Sequence, residues 1–248
     1  MDKAVLAQNK ASWDAIADDW FGTTALPVYG CGVPTEDDLH LLGDLRGKRV
    51  LDIGCGSGHS LLWCARQGAA ELFGVDLSEK QIANAQGLLD GNGMRCKLFC
   101  QPMESSENLP ICYFDTIISV YAIGWTTDLA RTFANVASYL KPGGIFVFSW
   151  DHPLMHCVDT TDGQVLFSGN YLDEDLFTFQ KGGMPVTLRN KKLSTYVNAL
   201  ADAGFAVERV VEESDPAQLA QACFSSGYYN RYKGEKFPLS VIIKARKL

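Results

Sequence analysis

Three groups of residues have the types and spacing to do chemistry. Residues 50–60 read VLDIGCGSGHS, with Gly54, Gly56 and Gly58 at alternate positions after an apolar run and Asp52 two residues ahead of them. Glycines in that rhythm let a ligand approach the backbone where a Cβ would block it. A second acid, Asp76, closes the run GVDLS about 20 residues further on, the place where a carboxylate can take both ribose hydroxyls of a nucleoside. The third group is SWDHPLMH, which carries Asp151 and His152. An imidazole titrating near neutrality makes His152 the candidate proton acceptor. His156 follows four residues later, but Pro153 breaks the helix that would put the pair on one face, so no metal is expected. Eight cysteines (Cys31, Cys55, Cys64, Cys96, Cys100, Cys112, Cys157, Cys223) contain no CxxC pair and read as reduced thiols.

These residues need a framework, and the periodicity supplies one. KRVLDIG, AELFGVDL, CKLFCQ, FDTIISVYAI and IFVFSW read as strands, the fourth apolar throughout as in a sheet covered on both faces. Between them HSLLWCARQG, SEKQIANAQGLLDGNG and DLARTFANVASYL read as helices, and LKPGG as a turn. Ser78 and Gln81 have the spacing of a capping box. The alternation implies a doubly wound parallel sheet. FAVERVVEE and FPLSVIIKARK end the pattern without a long helix between them, so they are expected to pair antiparallel at the sheet edge. We therefore read residues 1–248 as one domain. Residues 1–45 form an N-terminal helical cap (with Thr35 capping a short helix), 46–150 the ligand-binding core, 151–192 an inserted lid with a turn at Gly182-Gly183, and 193–248 the closing helix and strands.

Asp52 selects among nucleotides. A dinucleotide site wants GxGxxG to seat its pyrophosphate on a helix N-terminus, whereas here His59 takes the third glycine's place and Asp52 would repel the phosphates. S-adenosylmethionine has no phosphate and carries two positive centres, which a carboxylate can serve. VLDIGCGSGHS, GVDLSEKQI, FDTIISVYAI and LKPGGIFVFSW, in this order over roughly residues 46–150, resemble the motifs of class I S-adenosylmethionine-dependent methyltransferases of the small-molecule type. The resemblance implies a Rossmann-like α/β/α fold of seven strands, the last antiparallel. It implies that Asp52, Gly54, Cys55, Gly56 and Gly58 line the methionine end, that Asp76 binds the ribose, and that Leu77 and Gln81 lie toward the adenine. Where the family often has an acid at the adenine edge, this chain has Gln101-Pro102-Met103-Glu104, so the Gln101 amide and the Met103 backbone would serve there, with Glu104 beside them. Ser119, Val120 and Tyr121 would follow the fourth strand near the methyl donor, and Gly124 and Trp125 stand where many relatives have histidines. NKASWDAIADDW resembles a capping helix, with Trp13, Trp20 and Tyr29 placed to close the pocket.

The product would then be S-adenosylhomocysteine, formed by in-line displacement at the sulfonium. The acceptor is expected to be a small molecule, held by Trp125, Trp150, Asp151, His152 and Tyr171 in an aromatic pocket to which Phe167, Phe177 and Phe179 of the lid contribute. A net charge of −7 argues against a nucleic-acid partner. The basic residues Arg189, Lys191, Lys192, Lys244, Arg246 and Lys247 read as solvated surface. No Asn/Asp/Pro-Pro-Tyr/Phe tetrapeptide is present. Two alternatives stay open: methylation of a modified tRNA base, and a non-catalytic protein that only binds S-adenosylmethionine. The N-terminus has no apolar stretch of signal-peptide length, and no run is long enough to span a membrane, so a cytoplasmic monomer or homodimer is expected.

Overall fold

The computed structural model describes residues 1–161, 164–221 and 228–248; Cys223 lies outside them. The chain opens with α1 (Lys3–Ile16), capped by Asp2, whose carboxylate accepts from the N–H groups of Ala4 and Val5, and continues into a 3-10 turn at Ala17–Trp20. After a loop and a single-turn helix α2 (Glu36–Leu39), capped by Thr35 as expected, the alternation begins. It runs β1 (Arg49–Ile53), α3 (His59–Arg66), β2 (Glu71–Asp76), α4 (Glu79–Gly91), β3 (Lys97–Cys100), β4 (Phe114–Val120), α5 (Leu129–Tyr139) and β5 (Leu140–Asp151). Two hairpins follow, β6 (Val158–Thr161) with β7 (Gln164–Phe167), and β8 (Leu176–Lys181) with β9 (Met184–Arg189). The chain closes with α6 (Leu193–Asp202), β10 (Phe205–Val211), the short helices α7 (Pro216–Gln221) and α8 (Arg231–Gly234), and β11 (Ser240–Lys247).

The seven-stranded sheet has the order β10-β11-β5-β4-β1-β2-β3. β11 is antiparallel to both its neighbours, so it lies inside the sheet and β10 takes the edge. The last two strands thus pair antiparallel at the sheet edge, as expected, with β10 outermost. One core cluster joins Phe133, Val136, Phe146, Phe148, Tyr196 and Leu200, beneath α5 and α6. The other joins Val50, Leu61, Leu89, Ile118 and Ile242 on the opposite face, under α3, α4 and the N-terminal loop. Covering both faces is what the continuous apolar strands require.

Two local expectations need correcting. LKPGG is no separate turn: Leu140 already pairs with Phe114, and the strand resumes at Ile145 beside Thr116 after an irregularity in which Gly143 takes φ +75°. The capping box is only half formed. Ser78 Oγ accepts from the Gln81 N–H at 3.1 Å, but the Ser78 N–H donates to Asp76 Oδ1 at 2.9 Å, which leaves the Gln81 amide oxygen free of the cap. Lys191 is not solvated either. It is 6% exposed, and its ammonium donates to the carbonyls of Gly124, Thr126 and Arg189.

Candidate active site

Parallel pairing fixes the site. Asp52 stands opposite Gly74 and Ile53 opposite Val75, so the glycine loop leaves β1 level with the end of β2. The N–H groups of Gly54 and Cys55 both donate to the Val75 carbonyl, and the Gly56 N–H donates to Asp76 Oδ2 at 2.9 Å. Gly54 has φ +73°, and a Cβ there would stand 2.2 Å from that of Ala122. Gly56 has φ +49° with open space around its missing Cβ. The loop thus curls over a cavity lined by Asp52, Gly54, Cys55, Gly56, Val75, Asp76, Leu77, Gln81, Gln101, Met103, Glu104, Val120, Tyr121 and Ala122, with Leu6, Asn9, Trp13, Trp20 and Trp125 on its outer side.

The cavity has an unusual polar balance. Asp52 Oδ1, Gln81 Oε1 and Glu104 Oε2 are buried side-chain oxygens without a protein partner, and all three residues line it. Each is an acceptor waiting for a donor, and leaving such a group unpaired costs roughly 1–3 kcal/mol. Burial, with the neighbouring Asp76 charge second, pushes the Asp52 carboxyl up to about 8. Burial also holds Asp76 above its usual range, against the backbone N–H groups of Ser78 and Gly56 that favour its charged form. Glu104 is fixed by one oxygen: Oε1 accepts from Thr126 Oγ1, from Thr127 Oγ1 and from the Thr127 N–H at 2.6 Å.

The outer wall is aromatic and comes from three parts of the chain. Trp13 packs edge-on against Trp20 and Trp125, with ring centres 6.1 and 5.3 Å apart. Trp125 stacks on Phe179 of β8 and packs edge-on against Trp150. α1 is held over the cavity at two places. The Asn9 amide donates to the Thr187 carbonyl of β9 and accepts from its N–H, while Asp14 accepts from Ser78 Oγ at the start of α4. The following loop is latched where the Gly22 N–H donates to Ser57 Oγ, which lies 3.0 Å from His59 Nδ1.

Several expected site residues lie elsewhere. Tyr29 is fully buried in the core, and its hydroxyl donates to Glu36, so it closes no pocket. Ser119 points into the sheet and donates to the Ile53 carbonyl. Gly58 is outside the cavity lining; at φ +80° it starts α3 and gives α4 room, since a Cβ would meet that of Ala85 at 3.0 Å. The Gln101 amide lines the cavity but is already held, its NH2 donating to the Glu107 carbonyl and its oxygen accepting one bond from the Asn108 side chain. His152 is not a base at the cavity. Its Nδ1 accepts from the Leu154 N–H and its Nε2 donates to Glu212 at 2.7 Å, both behind the sheet end. Tyr171 accepts from the Leu193 N–H at the start of α6 rather than lining the cavity. Trp150 supports Trp125 from behind, and Asp151 sits among tyrosines next to Tyr121. Among the described residues, no group of three or more His, Cys, Asp or Glu could hold a metal ion. No helix there is long and apolar enough to cross a membrane. Leu6, Asn9 and His59 were missed. Leu6 and Asn9 share the helical face of Trp13 at spacings of three and four, a signal available in the sequence.

Fold and cavity together define a nucleoside-binding methyltransferase scaffold. Residues 50–144 match the family model described as a methyltransferase domain. A solved S-adenosylmethionine-dependent methyltransferase from Mesorhizobium loti superposes with a TM-score of 0.71 at 29% identity, over 84% of this chain and 95% of that one. An uncharacterized protein of Haemophilus influenzae is 30% identical over 85% of each chain. A ubiquinone biosynthesis O-methyltransferase of Neisseria meningitidis is 29% identical over 56% of this chain and 60% of its own length. The chain belongs to the class I S-adenosylmethionine-dependent methyltransferases.

Proposed function

We propose that this chain transfers a methyl group from S-adenosylmethionine to a hydroxyl oxygen of a small planar acceptor, and that residues 1–248 act as one methyltransferase unit. The observation that carries the reading is the set of partnerless acceptor oxygens on Asp52, Gln81 and Glu104 in one cavity. A ligand rich in donors and positive charge satisfies them; a pyrophosphate does not. When bound, S-adenosylmethionine supplies an electrophilic methyl group on a sulfonium. Asp52 Oδ1 would take the ammonium end beside the open backbone of Gly56. Asp76 keeps lone pairs for the ribose hydroxyls beyond its two backbone bonds. Leu77 and Met103 offer apolar contact to the adenine, and Gln81 Oε1 and Glu104 Oε2 are the free acceptors left for its amine now that Gln101 is engaged.

The acceptor class rests on the outer wall. Trp13, Trp20, Trp125 and Phe179 favour a planar molecule and exclude water from the reacting atoms, which strengthens every polar contact there. The name of the Neisseria relative supports oxygen as the methylated atom. A net charge of −7 supports a small molecule over a nucleic acid. A thermal-shift titration with S-adenosylmethionine, S-adenosylhomocysteine and NAD tests the cofactor, because a ligand that binds only the native state raises the midpoint. The first two should stabilise the protein. Stabilisation by NAD alone would overturn the reading.

A further inference from the structure

Lys181 ends β8, and the cofactor reading leaves it without a task. Side chains alternate along a strand, and here Phe179 and Lys181 are half-buried while Gln180 between them is exposed. Lys181 therefore shares its face with Phe179, the ring that stacks on Trp125 of the cavity wall. That face brings the Lys181 ammonium over Trp20, 3.8 Å from the ring centre, and within 5.8 Å of the ring centre of Trp13. Both indoles line the cavity. The adjoining tip at Gly182 and Gly183 is exposed, so a lysine stem could carry its charge out to water. Lys181 instead stays against the indole faces, where burial lowers its pKa from the usual lysine value.

This cation has no anion of its own: among the described residues, no carboxylate stands at ion-pair distance from it and no oxygen accepts its hydrogens. Asp151 acts on it only from further away, and the Asp151 oxygens accept from the Tyr229 hydroxyl at 2.5 Å and the Tyr228 hydroxyl at 3.5 Å. Indole faces attract an ammonium but leave its three N–H donors unspent. A half-buried charge in that state is completed by a hydrogen-bonding anion. The cavity is short of such a cation. Its described lining holds Asp52, Asp76 and Glu104 and no lysine or arginine. An acidic ligand is repelled by those carboxylates and attracted at the wall, where Lys181 meets Trp13 and Trp20. A single ammonium is a point charge, matched to the single charge of a carboxylate.

We propose that Lys181 recognises a carboxylate on the methyl acceptor, which makes the substrate a planar hydroxy acid. Its acidic end lies at Lys181 beside Trp20, its ring lies along the aromatic wall, and its hydroxyl turns toward the cofactor. The carboxylates of the lining and the ammonium at the wall act together on orientation: the first repel the acid group from the cofactor end, and the second holds it at the other. Lys181 is then a specificity-determining residue and takes no part in the bond making. The inference rests on the hydroxyl-acceptor reading above.

The test titrates 4-hydroxycinnamate and its neutral amide calorimetrically into the full-length protein saturated with S-adenosylhomocysteine at neutral pH. The two probes share the planar frame and the hydroxyl and differ in charge. The acid should bind at least about tenfold more tightly than the amide, the scale of one charge-assisted hydrogen bond. Lys181→Met keeps the stem and removes the charge, and should cut that preference to about twofold or less while S-adenosylhomocysteine still raises its melting midpoint. Lys181→Arg should restore most of the preference. Should Lys181→Met not fold, Lys181→Gln takes its place. A lysine that only braces β8 against Trp20 would change the stability of these variants and leave the ratio between the probes as in wild type, which would overturn the proposal. Equal binding of the two probes by wild type, or no heat from either, would overturn it as well. No binding of S-adenosylhomocysteine itself would overturn the cofactor reading, and the proposal with it.

Discussion

At the residue scale, the site works by leaving carboxylate and amide oxygens without partners. Asp52 is the sharpest case. Its native pKa of about 8 stands well above the unfolded value of about 3.9, so the native state holds a proton that the unfolded chain has released. The Asp52 penalty is absent below the unfolded value, grows as pH rises between the two, and is complete above about 8. Asp52→Asn should therefore stabilise the ligand-free protein at pH 8 by about 1–4 kcal/mol and change little at pH 4, as read from urea midpoints. It should also weaken S-adenosylhomocysteine at least about tenfold in a calorimetric titration. Tyr29→Phe behaves oppositely. It removes one donor from buried Glu36, which keeps the N–H groups of Leu41 and Leu42, so stability should drop by about 1–3 kcal/mol with ligand affinity unchanged. His152→Ala should likewise lower stability and leave S-adenosylhomocysteine binding intact, since both ring nitrogens serve the protein. That Asp52, the glycine loop and Asp76 stand together was legible, because they lie at the ends of two neighbouring parallel strands. The settings of Ser119 and His152 were not, because whether a polar side chain faces a cavity or a protein partner is settled there by contacts 66 and 60 residues away in the chain; Tyr29 is turned inward by Glu36, seven residues on.

At the scale of elements, the cavity is closed by parts that the chain delivers separately, α1 and the turn after β4, and the β8–β9 hairpin backs both through Asn9 and Trp125. Strands and helices of the core were legible because their apolar periods are strong. The LKPGG stretch was not, since Pro and Gly in a sequence read as a turn while here Leu140 already pairs with Phe114. The half-formed cap at Ser78 has the same origin: spacing shows that Gln81 can reach back, not that Asp76 takes the N–H first. The docking of α1 on β9 through Asn9 was also invisible, because the partner is backbone. Asn9→Ala should free α1 from the hairpin and weaken S-adenosylhomocysteine about three- to tenfold, with most of the change in the dissociation rate, as measured by stopped-flow tryptophan fluorescence. Gly30→Ala should displace Tyr121 and lower the melting midpoint, because the added Cβ meets a ring held from its other side by Trp150.

At the scale of the whole molecule, the fold was the most legible feature, because parallel strands buried on both faces leave few topologies open. The antiparallel pairing of β10 with β11 at the sheet edge was legible too, because no long helix separates them. The same buried charges set the molecule's response to pH. Asp52, raised to about 8 by burial, takes stability away as pH climbs toward that value, and Asp76, also raised by burial, acts in the same direction. Lys191, lowered to about 8 by burial, works the other way. Its native state has lost a proton that the unfolded chain keeps until about 10.4, so its penalty is relieved between those values. Ligand-free stability should decline from the mildly acid side through neutrality, and ligand should flatten that decline.

The most direct measurement follows from this. S-adenosylmethionine is titrated calorimetrically into the protein at pH 7 in two buffers of different ionisation enthalpy. A cation beside Asp52 must expel the proton that burial holds there, so binding should release close to one proton, and Asp52→Asn should abolish the release. Binding with equal heats in both buffers, or no binding at all, would contradict the assignment of this cavity to a positively charged nucleoside.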